Sequence, residues 1–212
     1  SAGRHIYKRE SSFPIAVACD PAFNFVYEAN IRYLHHLGEV TYFSPLADTS
    51  LPDAGFVYLP GGYPELYLAA LSANRQMLQS IRRYVESGGK LLAECGGMMY
   101  LCDEIRDKNG DVYPMAGVLH QSATMENMKL RLGYRTLLYN ETRLKGHEFH
   151  YSRLVEQQNP LPSCAVAYTA KGVETDTPLY HYKNVWAGYT HLYWADPVGN
   201  EWFTKFVIDG NT

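Results

Sequence analysis

The sequence is poor in cysteine and has no two cysteines in a CxxC spacing. Its 212 residues include four cysteines, scattered along the chain at Cys19, Cys95, Cys102 and Cys164. This pattern indicates neither a structural zinc site nor a disulfide framework, because both need cysteines in pairs or at regular spacings. We therefore expect four reduced thiols.

Long apolar runs and clusters of positive charge are also missing. No apolar run approaches the ~20 residues that a membrane helix needs, and the opening of the chain lacks the apolar stretch of a signal peptide. The formal net charge is -3, and the longest basic runs are pairs such as Arg82-Arg83. Neither nucleic acid nor an anionic membrane is therefore an expected partner, and the expected location is the cytoplasm.

The overall amino-acid composition is that of a globular domain. Hydrophobic residues make up 46% of the sequence and charged residues 19%, which is enough to build the core of one domain. Residues 1–12 are polar, and we interpret them as a linker or tail. The domain is expected to occupy residues 13–212.

The apolar pattern alternates between strands and helices in the first half of the chain. Predicted strands are 14–19, 40–43, 56–59 and 90–94, and predicted helices are 27–37, 65–71 and 74–86. Later segments rich in Tyr and Val predict strands 134–139, 146–152, 165–170, 179–182 and 185–190, followed by a helix at 201–208. The first half favours a parallel sheet covered on both faces, and the second half favours antiparallel pairing.

The most informative motif is a cysteine at the junction of a predicted strand and the helix that follows. Cys95 ends the apolar run 90–94 and is followed at once by Gly96 and Gly97. A sharp turn of this kind projects the side chain at the carboxyl edge of the sheet, where open α/β folds bind ligands. The N-terminus of the next helix is expected to lower the pKa of the thiol. The alternative is that Cys95 is an ordinary small core residue.

A second glycine turn, Pro60-Gly61-Gly62-Tyr63, also follows a predicted strand. The two turns are therefore expected at the same edge of the sheet. Backbone N–H groups of Gly62 or Tyr63, together with that of Gly96, predict an oxyanion hole. By itself the turn is better explained as an ordinary structural Gly-Pro turn.

A cysteine nucleophile needs a base, and we select His191 from the eight histidines. It directly follows the predicted strand 185–190, so it can lie at a strand end. His147 and His150 remain alternatives, and alternation places Glu148 and His150 on one strand face and His147 on the other. The same histidines with Glu148 leave a metal site open as an alternative, although none is predicted.

Three segments give the chain a specific resemblance. They are Leu59-Pro-Gly-Gly-Tyr-Pro-Glu65, Ala93-Glu-Cys-Gly-Gly-Met-Met-Tyr-Leu101 and Gly146-His-Glu-Phe-His-Tyr-Ser152. Together they resemble the class I glutamine amidotransferase domain of the cobyrinic and cobyric acid synthase group, and within it the cobyrinic acid a,c-diamide synthases. The likeness runs from about residue 14 to residue 208.

The resemblance implies a fold and a reaction. The expected fold is a three-layer, flavodoxin-like α/β domain with a mostly parallel central sheet and an antiparallel extension. In the family, an elbow cysteine attacks the carboxamide of glutamine and a late histidine assists it. These roles map to Cys95 and His191, and the released ammonia amidates an ATP-activated carboxylate of a corrin precursor.

The orientation of His191 departs from the usual class I pattern. Other class I glutaminases carry a carboxylate two residues after the histidine, and Tyr193 stands at that position here. A Cys–His dyad is therefore expected, with Glu65 or Glu148 as the candidate that orients the imidazole. Arg131 is a candidate for binding the carboxylate of the substrate, because a guanidinium fork matches it, and a solvated surface arginine is the alternative.

The ATP-binding half of such a synthase has no counterpart in this sequence. No G-x-x-x-x-G-K-[ST] phosphate loop occurs, so ATP and Mg²⁺ are assigned to a synthetase domain outside the chain, and no cofactor is expected within it. The chain would be an excised domain or a subunit that needs this partner. The acceptor stays open among cobyrinic acid, hydrogenobyrinic acid, nickel sirohydrochlorin and a cell-wall precursor.

Two other functional classes compete with this interpretation. A related cysteine hydrolase or peptidase would share the elbow and the histidine without acting on glutamine. A non-catalytic binding module would have structural glycine turns and a Cys95 of ordinary reactivity.

Overall fold

The apolar runs of the first half form the centre of the molecule in a computed structural model, which describes residues 13–209. The predicted linker or tail, residues 1–12, lies outside the described residues. In chain order the first elements are β1 (Pro14–Ala18), α1 (Glu28–Leu37), β2 (Glu39–Phe43), β3 (Phe56–Leu59), a 3-10 helix (Pro64–Leu66), α2 (Leu68–Ala73), α3 (Arg75–Glu86), β4 (Lys90–Glu94) and α4 (Gly96–Leu101).

The second half is dominated by short strands. They are β5 (Cys102–Arg106), β6 (Val112–Pro114), β7 (Leu119–Thr124), β8 (Arg131–Tyr139), β9 (Thr142–His150), β10 (Arg153–Leu154), β11 (Val166–Thr169), β12 (Glu174–Thr175), β13 (Leu179–Tyr182), β14 (Val185–Gly188) and β15 (His191–Leu192). Helix α5 (Pro197–Thr204) and a π-helical turn (Lys205–Asp209) follow.

The described strands form three sheets. The central sheet has the order β13-β14-β4-β3-β1-β2, and its neighbours are parallel except for the β13–β14 pair. A five-stranded sheet, β12-β11-β8-β9-β15, is antiparallel throughout. A four-stranded sheet, β10-β7-β5-β6, combines one parallel and two antiparallel pairs. The predicted parallel centre and antiparallel extension are confirmed.

The central sheet separates two hydrophobic cores, as a three-layer fold requires. Side chains alternate between its faces: Val57 and Ala93 lie in the core under α2, α3 and α4, whereas Tyr58 and Leu92 lie in the core under α1 and α5. Because both faces are covered, the central strands read as continuous apolar runs. This arrangement explains why β3, β4 and β13 have the limits predicted from the sequence.

The start and the buried face of helix α3 are determined by residues close together in the sequence. The Asn74 side chain accepts a hydrogen bond from the Met77 N–H at 3.4 Å and so caps the first turn. Met77, Leu78, Ile81 and Val85 are buried at helical spacing. The helix therefore begins at Arg75, directly after this cap and one residue after the predicted start.

Two helix predictions were wrong in their limits. The predicted helix 65–71 is divided into the 3-10 helix and α2, because Tyr67 has non-helical dihedral angles between them. The last helix begins at Pro197 rather than at 201, because Asp196 accepts from the Gly199 N–H at 2.8 Å and a proline follows the cap.

Candidate functional site

Cys95 occupies a strained turn between β4 and α4. Its φ of 53° lies in the left-handed region that residues other than glycine rarely adopt, and the residue is 4% exposed. A Cβ at Gly97 would lie 2.1 Å from the Leu59 carbonyl oxygen, so the chain needs a glycine there. The predicted nucleophile elbow is therefore present in the fold.

The thiol is buried and uncharged. Burial raises the pKa of the Cys95 thiol far above its usual range, and the Glu65 carboxylate raises it further, although a hydrogen bond from the Gly96 N–H lowers it. Cys95 Sγ donates to the Phe149 carbonyl oxygen at 3.4 Å. The prediction that the helix N-terminus lowers the thiol pKa is wrong, because desolvation outweighs the field of a six-residue helix.

The turn after β3, residues 60–64, contacts the sharp turn that carries Cys95. A Cβ at Gly96 would lie 2.7 Å from Pro64 Cδ, 3.0 Å from Gly62 O and 3.2 Å from Gly62 N. The N–H groups of Gly62 and Tyr63 have no hydrogen-bond acceptor among residues 13–209. The structure thus brings together Gly62, Tyr63 and Gly96, the three residues predicted to form an oxyanion hole.

His191 lies against the same turn. A Cβ at Gly61 would fall 2.2 Å from His191 Cε1, so only glycine leaves room for the imidazole. The ring of Phe25 packs edge-on against it, with centroids 4.5 Å apart. Within the described part of the chain, Nδ1 of His191 has no hydrogen-bond partner. Gly96, the residue after Cys95, and His191 therefore both pack against one turn, residues 60–64.

The imidazole of His191 is electrically neutral at ordinary pH. Burial lowers its pKa to about 4, and the nearby His147 and His150 lower it in the same direction. A neutral imidazole keeps one nitrogen free to accept a proton, which a general base requires.

Neither predicted orienting carboxylate bonds to the His191 ring. Glu148 is 1% exposed and is bound by His150, Thr177, Arg131 and Arg135. Although burial raises its pKa, the hydrogen bonds from His150 and Thr177 outweigh this effect, and the pKa of Glu148 falls to about 2. Glu148 is thus saturated by other donors.

Glu65 is the second predicted orienting group. Burial raises its pKa, and its Oε2 atom has no partner among the residues that the structure describes. Tyr193, at the position of the usual carboxylate, is partly exposed and packs its ring against Tyr27 at 5.7 Å. No described carboxylate therefore holds the imidazole of His191.

The alternative histidines are held in other roles. His150 Nδ1 lies 2.7 Å from the Ser152 carbonyl oxygen and its Nε2 lies 2.7 Å from Glu148 Oε1, and its ring stacks on Tyr189 at 3.6 Å. Both ring nitrogens of His150 are therefore engaged by hydrogen-bond partners within the protein. His147 is opposite His191 in the β9–β15 pair and packs against the ring of Tyr134. The predicted alternation of β9 is confirmed by its burial pattern.

Arg131 is a member of an ion-pair network rather than a solvated surface residue. Its Nε lies 3.1 Å from Glu148 Oε1, and its Nη2 donates to Thr175 and Asp176. Asp176 is largely exposed, so a substrate carboxylate would have to replace it. Binding of the substrate by Arg131 stays a prediction.

Two buried polar residues near the site were missed from the sequence. Glu94 precedes Cys95, and Asn30 lies in α1; both bond to the backbone of Leu192, next to His191. A charged residue at the end of the apolar run 90–94 was a signal for Glu94. Asn30 gave no comparable signal.

Residues 13–209 contain neither a candidate metal site nor a helix that could span a membrane. No group of three or more His, Cys, Asp or Glu side chains in this range is arranged to hold a metal ion. No helix in the same range has the length and apolar character to cross a membrane.

Sequence comparison gives a family match over most of the chain. Residues 14–198 match the family described as CobB/CobQ-like glutamine amidotransferase domain. The chain is 40% identical over 185 residues to hydrogenobyrinate a,c-diamide synthase of Pseudomonas aeruginosa, covering 84% of the chain and 41% of that protein. It is 38% identical over 210 residues to cobyrinate a,c-diamide synthase of Clostridium acetobutylicum, covering 94% of the chain and 46% of that protein. The chain thus spans less than half the length of these relatives.

Solved structures resemble the fold at low sequence identity. PurLQS of Thermotoga maritima superposes with a TM-score of 0.58 at 18% identity, covering 85% of this chain and 88% of that chain. A glutamine amidotransferase of the same organism gives 0.55 at 13% identity, covering 85% and 76%. These structures support the class I glutamine amidotransferase-like fold.

Proposed function

Because the chain belongs to the family of CobB/CobQ-like glutamine amidotransferase domains, we propose that it hydrolyses glutamine to glutamate and ammonia, with Cys95 as nucleophile and His191 as base. The main support is geometric. Gly96, which follows the buried Cys95 with its φ of 53°, and the buried neutral His191 both pack against the turn at residues 60–64.

The proposed first step starts from a neutral pair. The thiol leaves the Phe149 carbonyl oxygen and its proton passes to His191 as the sulfur attacks the carboxamide carbon of glutamine. The C=O π electrons move onto oxygen, and the N–H groups of Gly62, Tyr63 and Gly96 would stabilise that charge. The imidazolium then gives its proton to the leaving amine, and ammonia departs from a thioester at Cys95.

The second step hydrolyses the thioester. A water molecule attacks the acyl carbon while His191 accepts its proton, and the imidazolium returns that proton to the departing sulfur. Glutamate and the free thiol result. Because burial keeps both the thiol and the imidazole neutral, proton transfer accompanies attack, and no resting thiolate is needed.

We further propose that the ammonia serves the amidation of a corrin precursor on a separate synthetase domain. The relatives are named for a,c-diamide synthesis on cobyrinate or hydrogenobyrinate, and more than half their length lies outside the match. ATP and Mg²⁺ would bind in that remaining part. The chain's own residues would contribute the glutamine site and the ammonia.

Affinity labelling and substitution test the glutaminase. A glutamine-like diazoketone should alkylate Cys95, as mapped by mass spectrometry, and Cys95→Ser should abolish release of glutamate. His191→Ala should lower kcat by about 10²- to 10⁴-fold, the usual contribution of a general base. Cys102→Ser is the matched control, since Cys102 is also buried but lies beyond α4.

Two results would contradict the proposal. One is an adduct on Cys19, Cys102 or Cys164 in place of Cys95. The other is a His191→Ala variant within about threefold of wild type, far from the loss expected when a general base is removed.

A further inference from the structure

His191 lies on a very short strand, and no carboxylate among residues 13–209 bonds to its ring. Strand β15 has two residues and pairs with β9 alone, with His191 opposite His147 and Leu192 opposite Gly146. General-base catalysis requires the imidazole to be held to within a fraction of an ångström. The backbone of β15 must therefore be fixed by other contacts.

Glu94 supplies one of these contacts from the strand that carries the nucleophile. Its Oε2 accepts a hydrogen bond from the Leu192 N–H at 2.5 Å, and its Oε1 accepts from the Tyr58 hydroxyl at 2.9 Å. Glu94 is 1% exposed. A buried carboxyl between two specific partners fixes the distance from β4 to β15.

Asn30 supplies a second contact from α1. Its Nδ2 donates to the Leu192 carbonyl oxygen at 2.8 Å, and its Oδ1 accepts from the Trp194 N–H at 3.0 Å. Asn30 is completely buried. Both polar groups of the Leu192 backbone are thus bound by side chains from the central three-layer fold.

The two contacts lie on the side of the central sheet away from the nucleophile. Tyr58 and the side chain of Leu192 belong to the core under α1 and α5, whereas Cys95 belongs to the core under α2, α3 and α4. Glu94 and Cys95 are consecutive in the chain, as are Leu192 and His191. Glu94 and Leu192 thus bond to each other, whereas their neighbours Cys95 and His191 are the proposed nucleophile and base.

We propose that Glu94 and Asn30 are positioning residues for His191, which hold it through the Leu192 backbone in place of an orienting carboxylate on the ring. This inference rests on the proposed function, since it assigns the imidazole the role of base. Neither residue has a hydrogen bond to the ring.

Hydrogen bonding, not charge, is what this role requires of Glu94. A carboxylate accepts from both the Leu192 N–H and the Tyr58 hydroxyl. A neutral carboxyl accepts from Leu192 with one oxygen and donates to Tyr58 Oη with the other. A glutamine side chain makes the same two bonds through its oxygen and its amide.

Glu94→Gln and Glu94→Leu form the matched pair for a test. Glu94→Leu removes both bonds, and we expect kcat for glutamine hydrolysis to fall about 10- to 10²-fold, as for a misplaced catalytic group, with KM within about twofold. Glu94→Gln should restore kcat to within about threefold of wild type. Tyr58→Phe, which keeps the bond to Leu192, is the control for disturbance of the buried site.

A measurement without turnover separates positioning from general destabilisation. The ¹⁵N and ¹H signals of the His191 imidazole should shift in Glu94→Leu and keep their wild-type positions in Glu94→Gln, at a temperature where circular dichroism shows both variants folded. If Glu94→Leu fails to fold, Asn30→Ala replaces it. This variant removes both the donor to the Leu192 carbonyl and the acceptor for the Trp194 N–H, and it should cause the same loss of kcat.

The outcomes distinguish this inference from the proposed function. A folded Glu94→Leu variant with wild-type kcat and unchanged imidazole signals would overturn the positioning role, and so would a Glu94→Gln variant as impaired as Glu94→Leu. If Glu94→Leu does not fold, wild-type kcat in a folded Asn30→Ala variant overturns it. A wild-type chain that releases no glutamate and is not labelled at Cys95 would instead overturn the glutaminase itself.

Discussion

The buried carboxyl of Glu94 makes the stability of the fold depend on pH in a defined direction. Burial raises the pKa of Glu94 to about 8 from its ordinary value of 4.5, although bonds from Leu192 and Tyr58 lower it. Between these two pH values the folded chain keeps a proton that the unfolded chain releases. Rising pH therefore favours the unfolded state, and this contribution to stability is complete below pH 4.5 and lost as pH rises through 8.

Glu94→Gln removes this dependence and keeps the hydrogen bonds. The folding equilibrium of wild type should weaken relative to the variant by about tenfold per pH unit across the window. The window from 4.5 to 8 sets an upper bound of about 5 kcal/mol on the accumulated difference. The two proteins should be nearly equal in stability at pH 4.5, and the variant should be the more stable one at pH 8.

Urea denaturation followed by tryptophan fluorescence at several pH values between 4.5 and 8 measures the difference, with the slope m checked for constancy. Glu201→Gln, which removes an exposed carboxyl on α5, controls for the loss of one negative charge. A difference between wild type and Glu94→Gln that stays flat across this range would refute the assignment of a neutral, buried Glu94.

Three further predictions concern the site. Gly61→Ala should lower kcat by about 10²-fold, because its Cβ would lie 2.2 Å from His191 Cε1. The control is Gly172→Ala, whose Cβ meets nothing within 4 Å and which should leave kcat unchanged. Equal kcat in the two variants would contradict the prediction. The acidic limb of kcat/KM should fall near pH 4, since burial lowers the pKa of His191 to about 4; a midpoint near 6.5 would contradict the lowered pKa of His191. Iodoacetamide at pH 8 should alkylate the exposed Cys19 before Cys95, because burial raises the pKa of the Cys95 thiol. Mass spectrometry of the peptides measures the two rates, and faster labelling of Cys95 would contradict a neutral thiol.

Much of the fold was predictable because its signals are local. Strands β3 and β4 are short apolar runs, and glycine turns follow both at Gly61 and Gly96. The elbow at Cys95 and the cap at Asn74 depend on residues within a few positions of each other. Parallel strands that end at one sheet edge then bring the two glycine turns together.

The polar framework of the site was not predictable in the same way. Glu94 bonds to a residue 98 positions away, and Asn30 to one 162 positions away. Local patterns carry no information about such pairs. The raised pKa of the Cys95 thiol has the same origin, because the desolvation that causes it comes from the assembled tertiary structure.

The register of two strands connects the stability of the domain to its proposed chemistry. Side chains of a strand alternate between faces, so a slip of β4 by one residue would exchange the environments of Glu94 and Cys95. It would place a carboxyl in the core under α4 and separate Leu192 from its acceptor. Burying an unpaired polar group is costly, so the bond from Leu192 to Glu94 disfavours the slipped register. The same bond holds His191 in position relative to β4. A single buried contact thereby stabilises the fold and holds His191 in the position that its proposed role as base requires.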